Sequence, residues 1–324
     1  MPFLTLQPGH VTRLAASKSS PQPVHVFDAP TIHAVNAALA AQRPLLVRGE
    51  PGIGKSQLAR AAAKELGRAY IQHVVDVRTE SRDLLWHFDA VKRLADAQLS
   101  GSLHDNLEQA RAALNVENYL HPRALWWAFN WEEAAQQAHK VGCAAPVQLD
   151  GGKPENGCLV LIDEIDKGES DVPNGLLEAL GADVFTPEGR GAAVTTEGIA
   201  PLVIITTNEE RALPDAFIRR CLVLYLALPV LPDERAGLLE LLQQRGLAHF
   251  PQSAESVRRR AAEILADDRL AAQQAHRLPL PGQAEYLDML RAVQALHPDD
   301  TAKQLEALDR VATFTVRKHS GSTQ

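Results

Sequence analysis

Residues 49–56 have the types and spacing of a phosphate-binding loop. They read Gly-Glu-Pro-Gly-Ile-Gly-Lys-Ser, which satisfies the pattern G-x-x-x-x-G-K-[ST] at every required position. Glycines permit a tight turn whose backbone N–H groups, with a helix N-terminus, surround phosphate oxygens. Lys55 would bring positive charge to the β and γ phosphates, and Ser56 a hydroxyl ligand for Mg²⁺. The candidate binding residues are Glu50, Pro51, Gly52, Ile53, Gly54, Lys55, Ser56 and Gln57.

The segments on either side of this loop have the periodicity that such a loop requires. The apolar run at 44–48 predicts a buried strand before it. After it, Leu58, Ala62 and Leu66 recur at helical spacing, and Gly67 is a helix-stop signal. The order strand, loop and helix favours a real nucleotide site over a chance glycine-rich turn.

A second set of candidate residues follows the apolar run at 158–162. Asp163 and Glu164 come directly after Cys-Leu-Val-Leu-Ile, which is typical of a strand covered on both faces of a parallel sheet. Asp163 could hold Mg²⁺, and Glu164 could polarise the water that attacks a γ-phosphate. The alternative is that two carboxylates merely solvate a strand end, which the phosphate-binding loop in the same domain disfavours.

Polar residues also follow the buried strand predicted at 202–206. Asn208 could hold the attacking water, although asparagine is also a routine turn former. Arg219 and Arg220 precede a last strand at 222–227. They are surface charges, or one of them is a finger that stabilises transition-state charge on a neighbouring subunit's phosphate.

The composition is that of an ordinary globular protein of 324 residues, 45% of them hydrophobic, with a net charge of −7. This acidic balance disfavours a protein whose main role is to bind nucleic acid. The cysteines are Cys143, Cys158 and Cys221, whose spacing indicates neither a disulfide framework nor a zinc site. Without a secretory leader or an apolar run near 18 residues, the sequence predicts a cytoplasmic protein with no membrane span.

Changes in composition along the chain predict three regions. Residues 1–26 are rich in Pro, Ser and Thr and are expected to form an irregular arm. Residues 27–229 alternate strand and helix patterns, with a helical insertion at about 82–140. Residues 230–324 have only helical periodicity and predict a small all-helical lid, with Gly246 as one helix end.

The insertion contains all four tryptophans. Residues 83–99 and 103–114 are expected to be its first helices. Trp86, Trp126, Trp127 and Trp131 fit a partner contact, because tryptophan is enriched at interfaces. They fit equally well the packing of a buried helical layer.

These motifs together resemble the AAA+ ATPases, and within them the MoxR-like group. The resemblance rests on the loop at 49–56, the run Leu-Ile-Asp-Glu-Ile-Asp-Lys at 161–167, a hairpin before Asn208, and Leu-Pro-Asp-Ala-Phe-Ile-Arg-Arg at 213–220. It implies a parallel sheet with helices on both faces and a helical lid. It also implies ATP and Mg²⁺ bound at a subunit interface, in a homo-oligomeric ring that is typically six-membered.

The resemblance also implies roles for individual residues. Lys55 and Ser56 look like the Walker A pair, Asp163 and Glu164 like the Walker B pair, and Asn208 like sensor 1. Arg220 looks like the finger, but Arg219 stands where the family pattern has Asp, so both arginines stay candidates. At 281–285 the lid offers no arginine in the place where MoxR-like proteins often have sensor 2.

The leading hypothesis is an Mg²⁺-dependent ATP-hydrolysing ring that remodels or activates a partner protein. A protein with a von Willebrand factor A domain is the partner that the resemblance implies. One alternative is an ATP-controlled assembly or defence-signalling switch with slow hydrolysis. Another is a nucleic-acid motor or a GTPase resembling the McrB-like relatives.

Overall fold

The computed structural model describes residues 3–16, 23–103 and 107–316. Contacts divide the chain into two compact units. The first unit consists of Met1–Leu6, Ala29–Arg48 and Leu58–Leu224, and the second of Gln7–Asp28, Gly49–Gln57 and Tyr225–Gln324. The domain boundaries drawn from the sequence, at 26 and 229, stay predictions.

Strands and helices alternate through the first two thirds of the described chain, and helices alone follow. The strands are β1 (Val11–Arg13), β2 (Val24–Val26), β3 (Leu45–Gly49), β4 (Arg68–Val74), β5 (Trp86–Phe88), β6 (Leu120–Pro122), β7 (Lys153–Asp163), β8 (Val184–Phe185), β9 (Val194–Thr195), β10 (Leu202–Thr207) and β11 (Leu222–Leu226). The α-helices are α1 (Ala29–Ala41), α2 (Lys55–Glu65), α3 (Ala90–Leu103), α4 (Leu107–Ala113), α5 (Ala124–Phe129), α6 (Trp131–Val141), α7 (Asp171–Ala182), α8 (Asp215–Arg220), α9 (Arg235–His249), α10 (Glu255–Gln274), α11 (Gln283–Leu296) and α12 (Thr301–Thr315).

A five-stranded parallel sheet with helices on both faces organises the first unit. Its strand order is β11-β3-β10-β7-β4. The central strands have near-continuous apolar runs because both faces of the sheet are covered, and residues 157–163 of β7 are all buried. This architecture confirms the predicted α/β fold with a parallel-sheet P-loop core and a helical C-terminal region.

The register of the sheet places the ends of three strands at one edge. Ile205 of β10 lies opposite Ile162 of β7, and Thr207 of β10 lies opposite Arg48 of β3. Because these strands are parallel, their carboxyl ends share that edge. The residues that follow β7 and β10 therefore meet where β3 ends.

The insertion differs from its prediction at its start. Residues 83–99 were expected to be one helix, but a 3₁₀ turn and strand β5 precede α3. Strand β5 pairs with β6, so that Trp86 lies opposite Pro122. Residues 86–88 are not helical because their backbone pairs with β6, more than 30 residues further along the chain. The helical periodicity within 83–99 contains no information about that distant partner.

The tryptophans of the insertion belong to the apolar core of the first unit. Trp126 and Trp127 are buried, and Trp86 and Trp131 are partly buried against the same cluster. Arg190, in the loop between β8 and β9, lies 5.0 Å from the Trp126 ring centroid and donates to Glu133 of α6. Core packing therefore accounts for Trp126 and Trp127. Arg190 also binds the hairpin formed by β8 and β9 to the insertion.

The second unit contains a two-stranded ribbon where an irregular arm was expected. Strands β1 and β2 are antiparallel, with Val11 opposite Val26. Val24 and Phe27 are buried, which explains why this short segment is ordered. For residues 11–13 and 24–26 the prediction of an irregular arm was wrong, because three-residue strands are too short to show a period of two. The Pro- and Ser-rich residues 17–22 lie outside the described part of the chain.

Residues 235–315 of the second unit form four helices, α9 to α12, as the sequence predicted. Gly246 was expected to end α9, but the helix continues to His249. A Cβ on Gly246 would lie 2.3 Å from the Tyr286 hydroxyl, so glycine serves here for close helix packing. Among the described residues, every helix is too short or too polar to cross a membrane.

Candidate nucleotide site

The glycine-rich loop connects β3 directly to α2. Gly49, Gly52 and Gly54 have φ angles of +145°, +76° and +102°, a region that glycine adopts without steric strain. The loop therefore takes the turn that the sequence pattern predicted. Helix α2 begins at Lys55, and its first N–H groups have no intrahelical acceptor, which favours an anion at this end.

Lys55 is held inside the loop by backbone carbonyls. Lys55 is only 7% exposed. The ammonium Nζ donates to the Gly49 carbonyl at 2.6 Å and to the Glu50 carbonyl at 3.0 Å. The loop thus already places a positive charge among its own backbone groups, and Ser56 follows it on the first turn of α2.

The outer side of the loop is anchored within the second unit. Ile53 is buried in the apolar cluster formed with α9 to α12. An ideal Cβ on Gly52 would lie 2.6 Å from the Ala284 Cβ, so only glycine allows the start of α11 to approach this closely. Glu50 accepts two hydrogen bonds from Arg269 of α10, a residue that the sequence gave no reason to single out.

In the first unit, Asp163 ends β7 and is fixed by neighbouring strands. Its Oδ1 accepts from the Thr206 hydroxyl of β10 at 2.5 Å, and its Oδ2 from the Gln72 amide of β4 at 3.3 Å. The same Thr206 oxygen accepts from the Glu164 N–H at 2.9 Å. Thr206 therefore holds both candidate residues, and the two donors fix the orientation of the Asp163 carboxylate.

Glu164 stands in a left-handed backbone conformation, with φ of +60°. Its Oε2 accepts from Lys167 Nζ at 2.7 Å, and its Oε1 from the Asn208 amide at 3.4 Å. The hydrogen bond to Glu164 raises the pKa of Lys167 above its ordinary value. The structure thus brings Glu164 and Asn208 together, and it adds Lys167, which was not among the predicted site residues.

A buried carboxylate joins the two segments that follow β7 and β10. Asp166 is 2% exposed and accepts from the backbone N–H groups of Asn208 at 3.4 Å and Glu210 at 2.9 Å. It lies in the 3₁₀ turn after Glu164 and so ties Asn208 to that turn. The acidic pattern at 163–166 was the signal available in the sequence for this role.

The two candidate finger residues end α8. Arg219 and Arg220 are exposed, and in the part of the chain that the structure describes neither side chain forms an ion pair. Their backbone carbonyls accept from the guanidinium of Arg43, with 3.1 Å to the Arg220 carbonyl. The helix end is therefore fixed by its backbone, while both charged side chains point into solvent.

The positions of the predicted site residues are thus divided between the two units. Asp163, Glu164 and Asn208 lie together in the first unit, and Arg219 and Arg220 lie on another helix of that unit. The binding loop from Glu50 to Gln57 lies in the second unit. Within each unit the chemistry of the residues suits a nucleotide with Mg²⁺. The loop of the second unit offers turned backbone, an ammonium and a hydroxyl, and Asp163 of the first unit offers a carboxylate, a ligand type that Mg²⁺ prefers.

Residues 44–221, more than half of the chain, match the family model described as the AAA domain of the dynein-related subfamily. No curated protein matches the chain. Among solved structures, the chain is similar to a candidate ATPase from Cytophaga hutchinsonii ATCC 33406, with 14% identity and a TM-score of 0.35. That alignment covers 88% of this chain and 79% of the other.

Proposed function

The chain belongs to the AAA domain family in its dynein-related subfamily, and on that premise we propose that it is an Mg²⁺-dependent ATPase. The observation that carries the proposal is the pair Asp163 and Glu164, fixed by Thr206 at the end of β7. The chain enters the phosphate-binding loop from the same edge of the sheet. Ligands bind at the carboxyl ends of strands in sheets of this kind.

We propose the following roles for the residues of this chain. The backbone amides of the loop and Lys55 hold the phosphates, and Ser56 and Asp163 hold Mg²⁺. The bound metal ion supplies charge neutralisation at the phosphate oxygens. Glu164 accepts a hydrogen bond from the attacking water, and Asn208 orients it.

The contacts of Glu164 indicate a low rate of ATP hydrolysis while they are in place. Its carboxylate is engaged by Lys167 and Asn208, so it has fewer lone pairs with which to orient a water. We infer that hydrolysis accelerates when these contacts open. The same observation supports the second candidate function, an ATP-controlled assembly or defence-signalling switch whose hydrolysis stays slow.

We propose further that the active form is a homo-oligomeric ring, with six subunits favoured. Arg219 and Arg220 support it, because an exposed guanidinium at a fixed helix end suits transition-state charge on a neighbouring subunit. A MoxR-like role, in the cytosol and with a von Willebrand factor A domain protein as partner, is the finer form of the proposal. It rests on the sequence resemblance alone.

The nucleic-acid motor and the McrB-like GTPase are less well supported. The net charge of −7 disfavours a protein that binds nucleic acid mainly through phosphate contacts. Competition between ATP and GTP for the loop separates the two nucleotides directly.

Phosphate release from Mg²⁺-ATP, measured together with molecular mass in solution, tests the proposal. We expect turnover by the wild-type oligomer, loss of binding in Lys55→Ala, and binding without turnover in Glu164→Gln. Lys64→Ala, which removes an exposed lysine from the same helix, is the matched control and should hydrolyse as the wild type does. An oligomer without turnover, indifferent to the first two substitutions, would contradict the proposal.

A further inference from the structure

A bidentate ion pair joins the phosphate-binding loop to α10. Arg269 NH1 donates to Glu50 Oε2 at 2.9 Å, and NH2 donates to Glu50 Oε1 at 2.8 Å. NH1 also donates to the Pro281 carbonyl at 2.8 Å. One guanidinium therefore holds the second residue of the loop and the segment that precedes α11.

The burial of this pair is unequal. The Arg269 side chain is 4% exposed, whereas that of Glu50 is 38% exposed. Burying a guanidinium carries a desolvation penalty, and its attraction to a carboxylate offsets that penalty only with good geometry. Here the fork-to-fork geometry is good, but Arg269 Nε is buried without a hydrogen bond to any residue that the structure describes. Apolar residues often stabilise a protein as well as a buried ion pair does, so the position of this pair is the better guide to its role.

The position of the pair in the loop indicates what that role is. The Glu50 carbonyl is one of the two acceptors that hold the Lys55 ammonium, at 3.0 Å. Fixing the Glu50 carboxylate restricts the backbone of the same residue, because only a few combinations of staggered rotamers connect a fixed carboxylate to its Cα. The ion pair thus acts on the residue that places Lys55.

Two further residues of the loop contact the same helices. Ile53 is buried with α9 to α12, and Gly52 lies against Ala284 at the start of α11. We call these two residues and Glu50 the anchors of the loop, and Glu50 is the polar one. All three anchors fall between Gly49 and Lys55, in the segment whose amides surround the phosphates in loops of this pattern.

We propose that Arg269 is a positioning residue for nucleotide binding, acting through Glu50 on the phosphate-binding loop. This inference rests on the proposed function. Arg269 contacts Glu50 and Pro281 and acts through the loop, so its loss weakens nucleotide affinity and leaves the hydrolytic groups in place. The effect belongs to binding by the folded chain, and a loss of stability alone does not reproduce it.

The test is the equilibrium affinity of the 324-residue chain for a fluorescent ADP analogue with Mg²⁺, well below the melting temperature of each variant. Arg269→Gln and Glu50→Gln should each raise Kd about tenfold, the scale of a hydrogen bond to a charged group. The double variant should be no weaker than the singles, because both remove one interaction. The control is Arg260→Gln, on the same helix as Arg269, which breaks an exposed pair with Asp309 of α12 and should leave Kd unchanged.

Arg269→Lys keeps the charge but loses the planar fork, and it secures the test if Arg269→Gln fails to fold. Its Kd should lie between those of the wild type and Glu50→Gln. Wild-type affinity in folded Arg269→Lys and Glu50→Gln would overturn the inference. So would single-variant effects that multiply in the double variant. Either result leaves the proposed ATPase function standing. A wild-type chain that binds no ADP overturns the proposed function and the inference with it.

Discussion

Thr206→Val removes the hydroxyl that holds both carboxylate residues while keeping the volume of the side chain. Thr206 is 1% exposed, donates to Asp163 Oδ1 at 2.5 Å and accepts from the Glu164 N–H at 2.9 Å. A hydrogen bond to a charged group contributes about 1.5–3 kcal/mol, and an unsatisfied, partly buried N–H costs about 1 kcal/mol. We therefore expect the variant to lose about 3 kcal/mol of unfolding free energy.

Thr206→Ser is the matched control, because it keeps the hydroxyl and removes only a methyl group. Its expected loss is about 1 kcal/mol, the contribution of one buried methyl group. The two variants should therefore differ by about 2 kcal/mol. Comparing each variant with the wild type separates the hydrogen bonds, which Thr206→Val loses, from the packing of the methyl group, which Thr206→Ser loses.

Urea unfolding followed by tryptophan fluorescence measures this difference in the right part of the molecule. All four tryptophans, Trp86, Trp126, Trp127 and Trp131, lie in the first unit together with Thr206. Phosphate release measured on the same samples should fall about tenfold in Thr206→Val, because the Asp163 carboxylate loses its fixed orientation. Equal stability of the valine and serine variants would refute the assignment of Thr206 as the residue that holds this pair.

Three further predictions concern other charged groups of the chain. Lys167→Ala frees the Glu164 carboxylate from its ion pair, so the single-turnover rate without a partner should rise several-fold; an unchanged rate would show that the contact does not restrain hydrolysis. Burial lowers the pKa of His25 to about 3, below its ordinary 6.5, so the unfolded chain binds the proton more readily and stability falls as the pH drops from about 6.5 toward 3. His25→Gln should therefore recover about 1 kcal/mol of the stability that the wild type loses between pH 7.5 and 5.5, as measured by denaturant unfolding at both pH values. Of Arg219→Ala and Arg220→Ala, one should abolish turnover without changing ADP affinity, and loss of turnover in neither would exclude a finger on α8.

Local patterns predicted those parts of the fold that depend on neighbours in sequence. The phosphate-binding loop, the strand ending at Asp163 and the helices α9 to α12 follow from spacing and periodicity within about 20 residues. The parallel sheet also followed, because alternating strand and helix patterns leave few other arrangements. The pairing of Glu164 with Asn208 was within reach for the same reason, since both follow strands whose ends share one edge.

The rest depends on contacts that no local pattern encodes. Arg269 lies 219 positions from Glu50, and on α10 it is one of several arginines with nothing in their spacing to distinguish them. From the sequence, Thr206 is only the end of a buried strand. Its role in holding Asp163 and Glu164 comes from the register of β10 against β7. Strand β5 was read as helix because its partner β6 lies across the insertion. In each case tertiary pairing overrides the local preference.

The central claim is that this chain hydrolyses ATP with Glu164 of one subunit and an arginine of the next. The direct measurement is phosphate release by a mixture of equal amounts of Glu164→Gln and Arg220→Ala, with Arg219→Ala tested in the same way. Glu164→Gln, and whichever of the two arginine variants abolishes turnover, should each alone be as inactive as Lys55→Ala. In the mixture, sites that combine an intact Glu164 with a neighbour's intact arginine should restore turnover well above the sum of the separate rates. A mixture no more active than that sum, at a concentration where the oligomer forms, would contradict the claim.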